Sequence, residues 1–159
     1  MANEKEKQLF NSVRSVYIAL AAYVSKVGEE IGMDKALKVL SRTFGEIGRY
    51  QGKKLKKILE KENPNATEAF EVIKNVPFSL GINLMIPEKD SSKVIARLDK
   101  CPIFECADVV GINPAVFCDN TAVPYYDMIA KELNPDLKFE RNKIKSNQED
   151  FCEEQIISK

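Results

Sequence analysis

Apolar side chains recur at three- and four-residue steps between residues 4 and 31: Leu9, Val13, Val16, Tyr17, Leu20, Val24, Val27 and Ile31. This is the period of an amphipathic helix, and Gly28 and Gly32 suit its end. A second stripe of Leu37, Leu40, Phe44, Ile47, Leu55, Ile58 and Leu59 predicts a helix capped by Asp34 and running to about Glu62. Gly45, Gly48 and Gly52 lie inside it, three and four residues apart, and so share a face. Each costs a helix about 1 kcal/mol against alanine. Either another helix packs closely there or a ligand approaches the backbone. Asn63-Pro64-Asn65 stops the helix, and Asn65 with Glu68 forms a capping box for a third helix from Ala66 to about Asn75. Pro77 and Gly81 then break the pattern.

Beyond Gly81 the period shortens to two. Ile82, Leu84 and Ile86 alternate with Asn83 and Met85, and Val94, Ala96 and Leu98 alternate with Lys93, Ile95 and Arg97. A polar turn at residues 88–92 joins them, so the stretch reads as a β-hairpin. Pro102 can open a short helix that Gly111 ends, and Asn113-Pro114 caps and opens the next. Pro124 kinks or restarts that helix, after which Tyr126, Ile129, Ala130 and Leu133 share its inner face. Leu137, Phe139 and Arg141 then mark a third strand and residues 151–157 a fourth. The expected fold is α+β: long N-terminal helices, then a four-stranded antiparallel sheet made of two hairpins (about 82–100 and 136–157) separated by helices. The length of 159 residues fits a single domain, with a helical half to about residue 80 and a cysteine-bearing half after it.

Composition narrows the chemistry. Formal net charge is zero. The run Lys53, Lys54, Lys56 and Lys57 is followed by Glu60 and Glu62, which reads as a solvated helix end, so no nucleic-acid partner is expected. No apolar run approaches the ~20 residues of a membrane span. Residues 1–10 are charged and do not resemble a secretory signal, so no membrane partner and a cytoplasmic location are expected. The chain has no histidine, which removes histidine-based triads and histidine-containing zinc sites. A metal would need thiolates, and a general base would be a carboxylate, Lys, Tyr or Cys.

The four cysteines, Cys101, Cys106, Cys118 and Cys152, all fall in the last third of the chain, after a hundred residues without one. In a reducing compartment such a cluster points to metal or catalysis more than to disulfides. Four thiolates suit tetrahedral zinc or an iron–sulfur cluster, although the spacing C-P-x3-C-x11-C-x33-C lacks the usual C-x2-C pairs. The alternative is that the thiols are inert, buried core groups. Helix N-termini near Cys106 and Cys118 would favour their thiolates. Glu105, Asp108, Asp119, Glu140, Asp150, Glu153 and Glu154 lie nearby in sequence. Asp119, beside Cys118, and Glu140 are the candidate acid–base groups, and Tyr125 and Tyr126 are candidate pocket-lining residues or plain core.

Lys100-Cys101-Pro102 after a hairpin, Phe117-Cys118-Asp119, Phe139-Glu140-Arg141 and Phe151-Cys152 after a polar turn carry a resemblance over roughly residues 82–157. There the chain resembles the L-2-amino-thiazoline-4-carboxylic acid hydrolase family and, more distantly, the 4-vinyl reductase domain. The resemblance makes Cys101, Cys118 and Cys152 the family positions, with Asp119 and Glu140 beside them, and implies an apolar ligand pocket with a metal nearby. The turn at residues 146–150 has no glycine, and Phe151 stands where such families often carry a second cysteine. Three readings follow. One is a small-molecule- and metal-binding module, a sensor or carrier. Another is a hydrolase opening a small cyclic C–N bond, with Asp119 or Glu140 as base. The third is a homodimer built on the first two helices, with Gly48 and Gly52 at its seam and purely structural cysteines.

Overall fold

Helices and strands follow one another in the computed structural model much as the hydrophobic pattern predicts. The structure describes residues 4–159, except for the side chain of Asp108. Helices α1 (Glu4–Ile31) and α2 (Met33–Leu59) are followed by the short α3 (Ala66–Ile73) and α4 (Asn75–Ser79). Strands β1 (Leu84–Lys89) and β2 (Lys93–Leu98) form the first hairpin. Helices α5 (Pro102–Val110), α6 (Pro114–Asp119) and α7 (Ala122–Leu133) precede β3 (Leu137–Lys143) and β4 (Cys152–Ser158). No helix among the described residues is long and apolar enough to cross a membrane.

Local chemistry sets most boundaries. Asn65 Oδ1 accepts the Glu68 N–H and Glu68 Oε2 accepts the Asn65 N–H, both at 3.0 Å, so the expected capping box opens α3. Asn113 Oδ1 accepts from the N–H groups of Ala115 and Val116 at the start of α6. Gly111 ends α5 with φ 77°, a conformation that costs other residues strain. Two boundaries differ from expectation. Asp34 does not cap α2. Gly32, with φ 91°, is the single residue between the two long helices, and Asp34 sits in the first turn, where its charge still favours the helix end. Strand β1 runs through Pro87, which is tolerable because β1 is an edge strand and its register shifts between Met85 and Glu88.

The sheet order is β1-β2-β4-β3, antiparallel throughout. The two hairpins therefore meet along β2 and β4, pairing Leu98 with Cys152, Ala96 with Glu154 and Val94 with Ile156. On the other side of β4, Arg141 faces Glu154 and Phe139 faces Ile156. Val94, Ala96, Leu98, Phe139, Cys152 and Ile156 are buried on the inner face. The outer face carries the ion pairs Arg97–Glu153 and Lys138–Glu140 and stays wet. Helices cover only the inner face, the two-layer arrangement in which alternating strands bury one side.

The small residues of α2 decide how its partner sits. A Cβ on Gly48 would lie 2.2 Å from the Tyr125 carbonyl oxygen, and one on Gly52 would lie 2.7 Å from Glu132 Cβ. Close helix packing, one of the two readings of this glycine face, is therefore what occurs. It is packing within the chain, against α7, so these glycines are not open to a second copy as the homodimer reading required.

Candidate functional site

The four thiols come together in one apolar cluster with Phe10, Leu98, Ile103 and Phe117, and all four are buried. Their roles separate at once. Cys101 is the N-cap of α5, and its Sγ accepts the Phe104 N–H at 3.4 Å. Cys152 opens β4, and its Sγ accepts the Lys145 N–H at 3.4 Å. The two thiols meet, with Cys101 donating to Cys152. That hydrogen bond raises the Cys101 pKa and lowers that of Cys152, helped at Cys152 by the Lys145 N–H and the charges of Lys145 and Arg141. Lys145 is itself only 3% exposed, and its ammonium donates to the carbonyls of Asp99 and Gln148 at 2.7 and 3.3 Å. The remaining two thiols behave differently. Cys106 donates to the Ile103 carbonyl within its own helix at 3.2 Å, and burial pushes it up to about 11. Burial also raises Cys118, with the Glu154 charge adding to the effect. The expected thiolates at Cys106 and Cys118 are thus reversed, because desolvation outweighs the helix ends.

Among the described residues no three Cys, Asp or Glu groups are placed to hold a metal ion. The Cys106 thiol is turned into α5, and Cys101 and Cys152 satisfy each other.

The candidate acid–base groups are also occupied. Asp119 Oδ1 accepts from Arg141 Nη2 at 2.5 Å and Nε at 3.2 Å. Glu140 lies on the outer face of β3, away from the thiols, because it alternates with the inward residues Phe139 and Arg141. There Lys138 and Gln155 bond its carboxylate and hold its pKa down. Glu105 pairs with Arg14 and Asp150 with Lys143, while the Asp108 side chain lies outside the described residues.

Tyr125 and Tyr126 do line a cavity. It measures about 480 Å³ and lies between α1, α2, α4 and α7. Phe44, Ile47, Leu55, Val76 and Leu80 make its apolar walls, and Tyr17, Gln51, Tyr125 and Tyr126 bring polar tips to it. No charged side chain among the described residues lines it. The α2–α7 contact at Gly48 fixes the Tyr125 backbone against this wall. The Tyr126 ring is edge-on to Tyr125 at 5.0 Å and lies over Phe139 at 5.1 Å. Behind Tyr126, a second cavity of about 20 Å³ reaches the sheet, where Glu154 lines it.

Tyr17, Gln51, Tyr125, Tyr126 and Glu154 make no side-chain hydrogen bond to the protein, among the described residues. Each keeps some surface that water can touch. Glu154 and Tyr126 are half-buried, and both border the small cavity. Burial first, then the charge of Cys152, lifts Glu154 to about 8 against the downward pull of Arg141. Burial, then the Glu154 charge, raises Tyr126. Burial also raises Tyr17, which feels Cys101, so the cavity ends close to the thiols.

The sequence reads Tyr17 as a stripe residue and Arg141 as a strand residue, and it gives no signal for Gln51 or Lys145. Glu154 was named only as one nearby carboxylate. A signal for Glu154 was present, since it alternates in step with Cys152 and Ile156 and so must face inward. Compared with protein-family models and with curated proteins, the chain matches none of them.

Proposed function

We propose that the chain is a binding module for a small, largely apolar and uncharged molecule held between α1, α2, α4 and α7. One observation carries the reading. Three phenols, an amide and a carboxyl group border two adjoining cavities without a hydrogen-bond partner in the protein. These groups are half-buried, so water meets them in the free protein and a ligand that fills the cavity must pair with them in its place. A ligand that offers them hydrogen-bond partners is favoured over one that does not. The larger cavity, about 480 Å³, is within the usual range for small-molecule sites, and its walls are mostly apolar. The more distant resemblance to the 4-vinyl reductase module implies a pocket of the same kind. The hydrolase reading is weaker, because Asp119 and Glu140, its two candidate bases, are both engaged by cationic side chains.

The test uses phenylnaphthylamine, an uncharged dye that brightens in apolar surroundings. Saturable uptake with one dye per chain is expected, and Ala122→Phe, which adds bulk to the cavity wall, should abolish it while leaving the circular dichroism spectrum unchanged. Uptake that does not saturate, or that survives Ala122→Phe, removes the basis for the reading.

A further inference from the structure

Tyr126 stands between the two cavities. It borders the large one among the helices and the small one against the sheet. The small cavity, about 20 Å³, has room for one oxygen-sized group. Phe70, Leu84, Val94 and Ala96 make it apolar apart from Tyr126, Glu154, Lys74 and Gln155. The strand register explains why Glu154 reaches it. Glu154 points inward from β4 opposite Arg141, and Phe139, one inward step along β3, carries the Tyr126 ring.

The charges around Glu154 are already committed elsewhere. Arg141 of β3 gives its guanidinium to Asp119 of α6. Lys74, at the junction of α3 and α4, is bound by Glu71. Ala96 of β2, opposite Glu154, brings no charge. On its own strand the nearest titrating group is Cys152, which as a thiolate opposes ionisation of Glu154.

Resting on the small-molecule reading above, we propose that the Tyr126 hydroxyl and the Glu154 carboxyl form a two-donor pair that takes one acceptor oxygen of the ligand, so that the ligand is an apolar molecule bearing a carbonyl group. A carbonyl oxygen has two lone pairs and accepts one hydrogen bond from each donor. The apolar remainder of the molecule fills the large cavity. Glu154 keeps its proton up to about pH 8, so the carboxyl donor is in place at neutral pH. An apolar site that keeps an acid neutral makes it a donor of this kind.

A matched pair of probes isolates the oxygen: acetylnaphthalene, and isopropenylnaphthalene, in which a methylene group replaces the carbonyl oxygen. Calorimetry at neutral pH should show the ketone binding about tenfold more tightly, the effect of one or two net hydrogen bonds. The preference should fade above pH 8 as Glu154 ionises, the pKa being about 8. Glu154→Leu and Tyr126→Phe should each reduce it to a few-fold. Glu154→Gln, which keeps an N–H donor, should retain the preference and lose its pH dependence. If both probes bind equally, the oxygen subsite falls and the cavity reading stands. If neither binds, both fall. A preference that survives Glu154→Leu and Tyr126→Phe overturns the assignment of the pair.

Discussion

The thiol cluster and the tyrosine cavity are neighbours, yet, the Cys118 thiol aside, their polar groups are in opposite conditions. At the thiol end Cys101 and Cys152 hold each other, Cys106 is bonded to Ile103, and even the buried Lys145 ammonium has two carbonyls. Bordering the two cavities, Tyr17, Gln51, Tyr125, Tyr126 and Glu154 have no side-chain hydrogen-bond partner among the described residues. The sequence draws attention to the first region because cysteines are rare and clustered. The second is built from common residues scattered over four elements. The difference teaches that residue rarity marks where chemistry is available, whereas missing partners mark where a ligand belongs.

The largest effect that sharpens this contrast comes from Glu154. The folded protein holds the Glu154 proton to about pH 8. An unfolded glutamate releases it at about pH 4.3. Between those limits the unfolded state binds fewer protons, so stability falls as pH rises, by about 1.4 kcal/mol per unit, and levels off above the upper limit. Full stability from this group is present only below the unfolded pKa. Glu154→Gln should remove the slope. Urea midpoints at about pH 5 and about pH 8, compared between the two proteins, check it. Parallel profiles would mean that Glu154 ionises freely in the fold and belongs with the satisfied region.

Next in size is the wall that the cavity shares with the helix pair. Gly48→Ala places a methyl 2.2 Å from the Tyr125 carbonyl oxygen, an overlap that backbone must move to relieve. A loss of about 3 kcal/mol or more is expected, with dye binding abolished. Gly45 is on the same helix, but a methyl there meets Met128 Cγ at 3.6 Å, an ordinary contact. Gly45→Ala should therefore be neutral or stabilising by up to about 1 kcal/mol, from helix propensity. Urea unfolding of both variants measures the difference, and equal costs would show that α2 and α7 do not depend on that close approach.

What could be read from the sequence was what short stretches decide alone. The capping box at Asn65 and Glu68, the stop at Gly111, the Asn113-Pro114 start and the two hairpins all depend on neighbours within a few residues. The α+β class followed from them. The pairing of β2 with β4, which brings Cys101 to Cys152, joins segments some fifty residues apart, so the sequence offers it only as one arrangement of the two hairpins and does not decide it. Glu140 and Arg141 show the limit sharply. Alternation puts them on opposite faces, but which face receives the helices is settled by Leu137 and Phe139 packing under α7. Tyr17 was legible as an inward residue. That its hydroxyl ends in a cavity depends on how far α1 stands from α7, and no stretch of α1 encodes that distance.

The smallest effects test the contrast at single atoms. Cys106 is fully buried with its thiol bonded inside α5, so Cys106→Ala leaves a small void and a lost weak hydrogen bond. A cost of about 1 kcal/mol is expected, with dye binding unchanged. Tyr126→Phe removes a hydroxyl that has no protein partner, so its cost should stay within about 0.5 kcal/mol of zero while ligand preference changes. One substitution should move stability without function, and the other function without stability. Denaturant titration and dye binding on both variants decide it. A cost above about 2 kcal/mol for Tyr126→Phe would mean that the hydroxyl stabilises the fold itself, and the two regions would then differ in composition but not in kind.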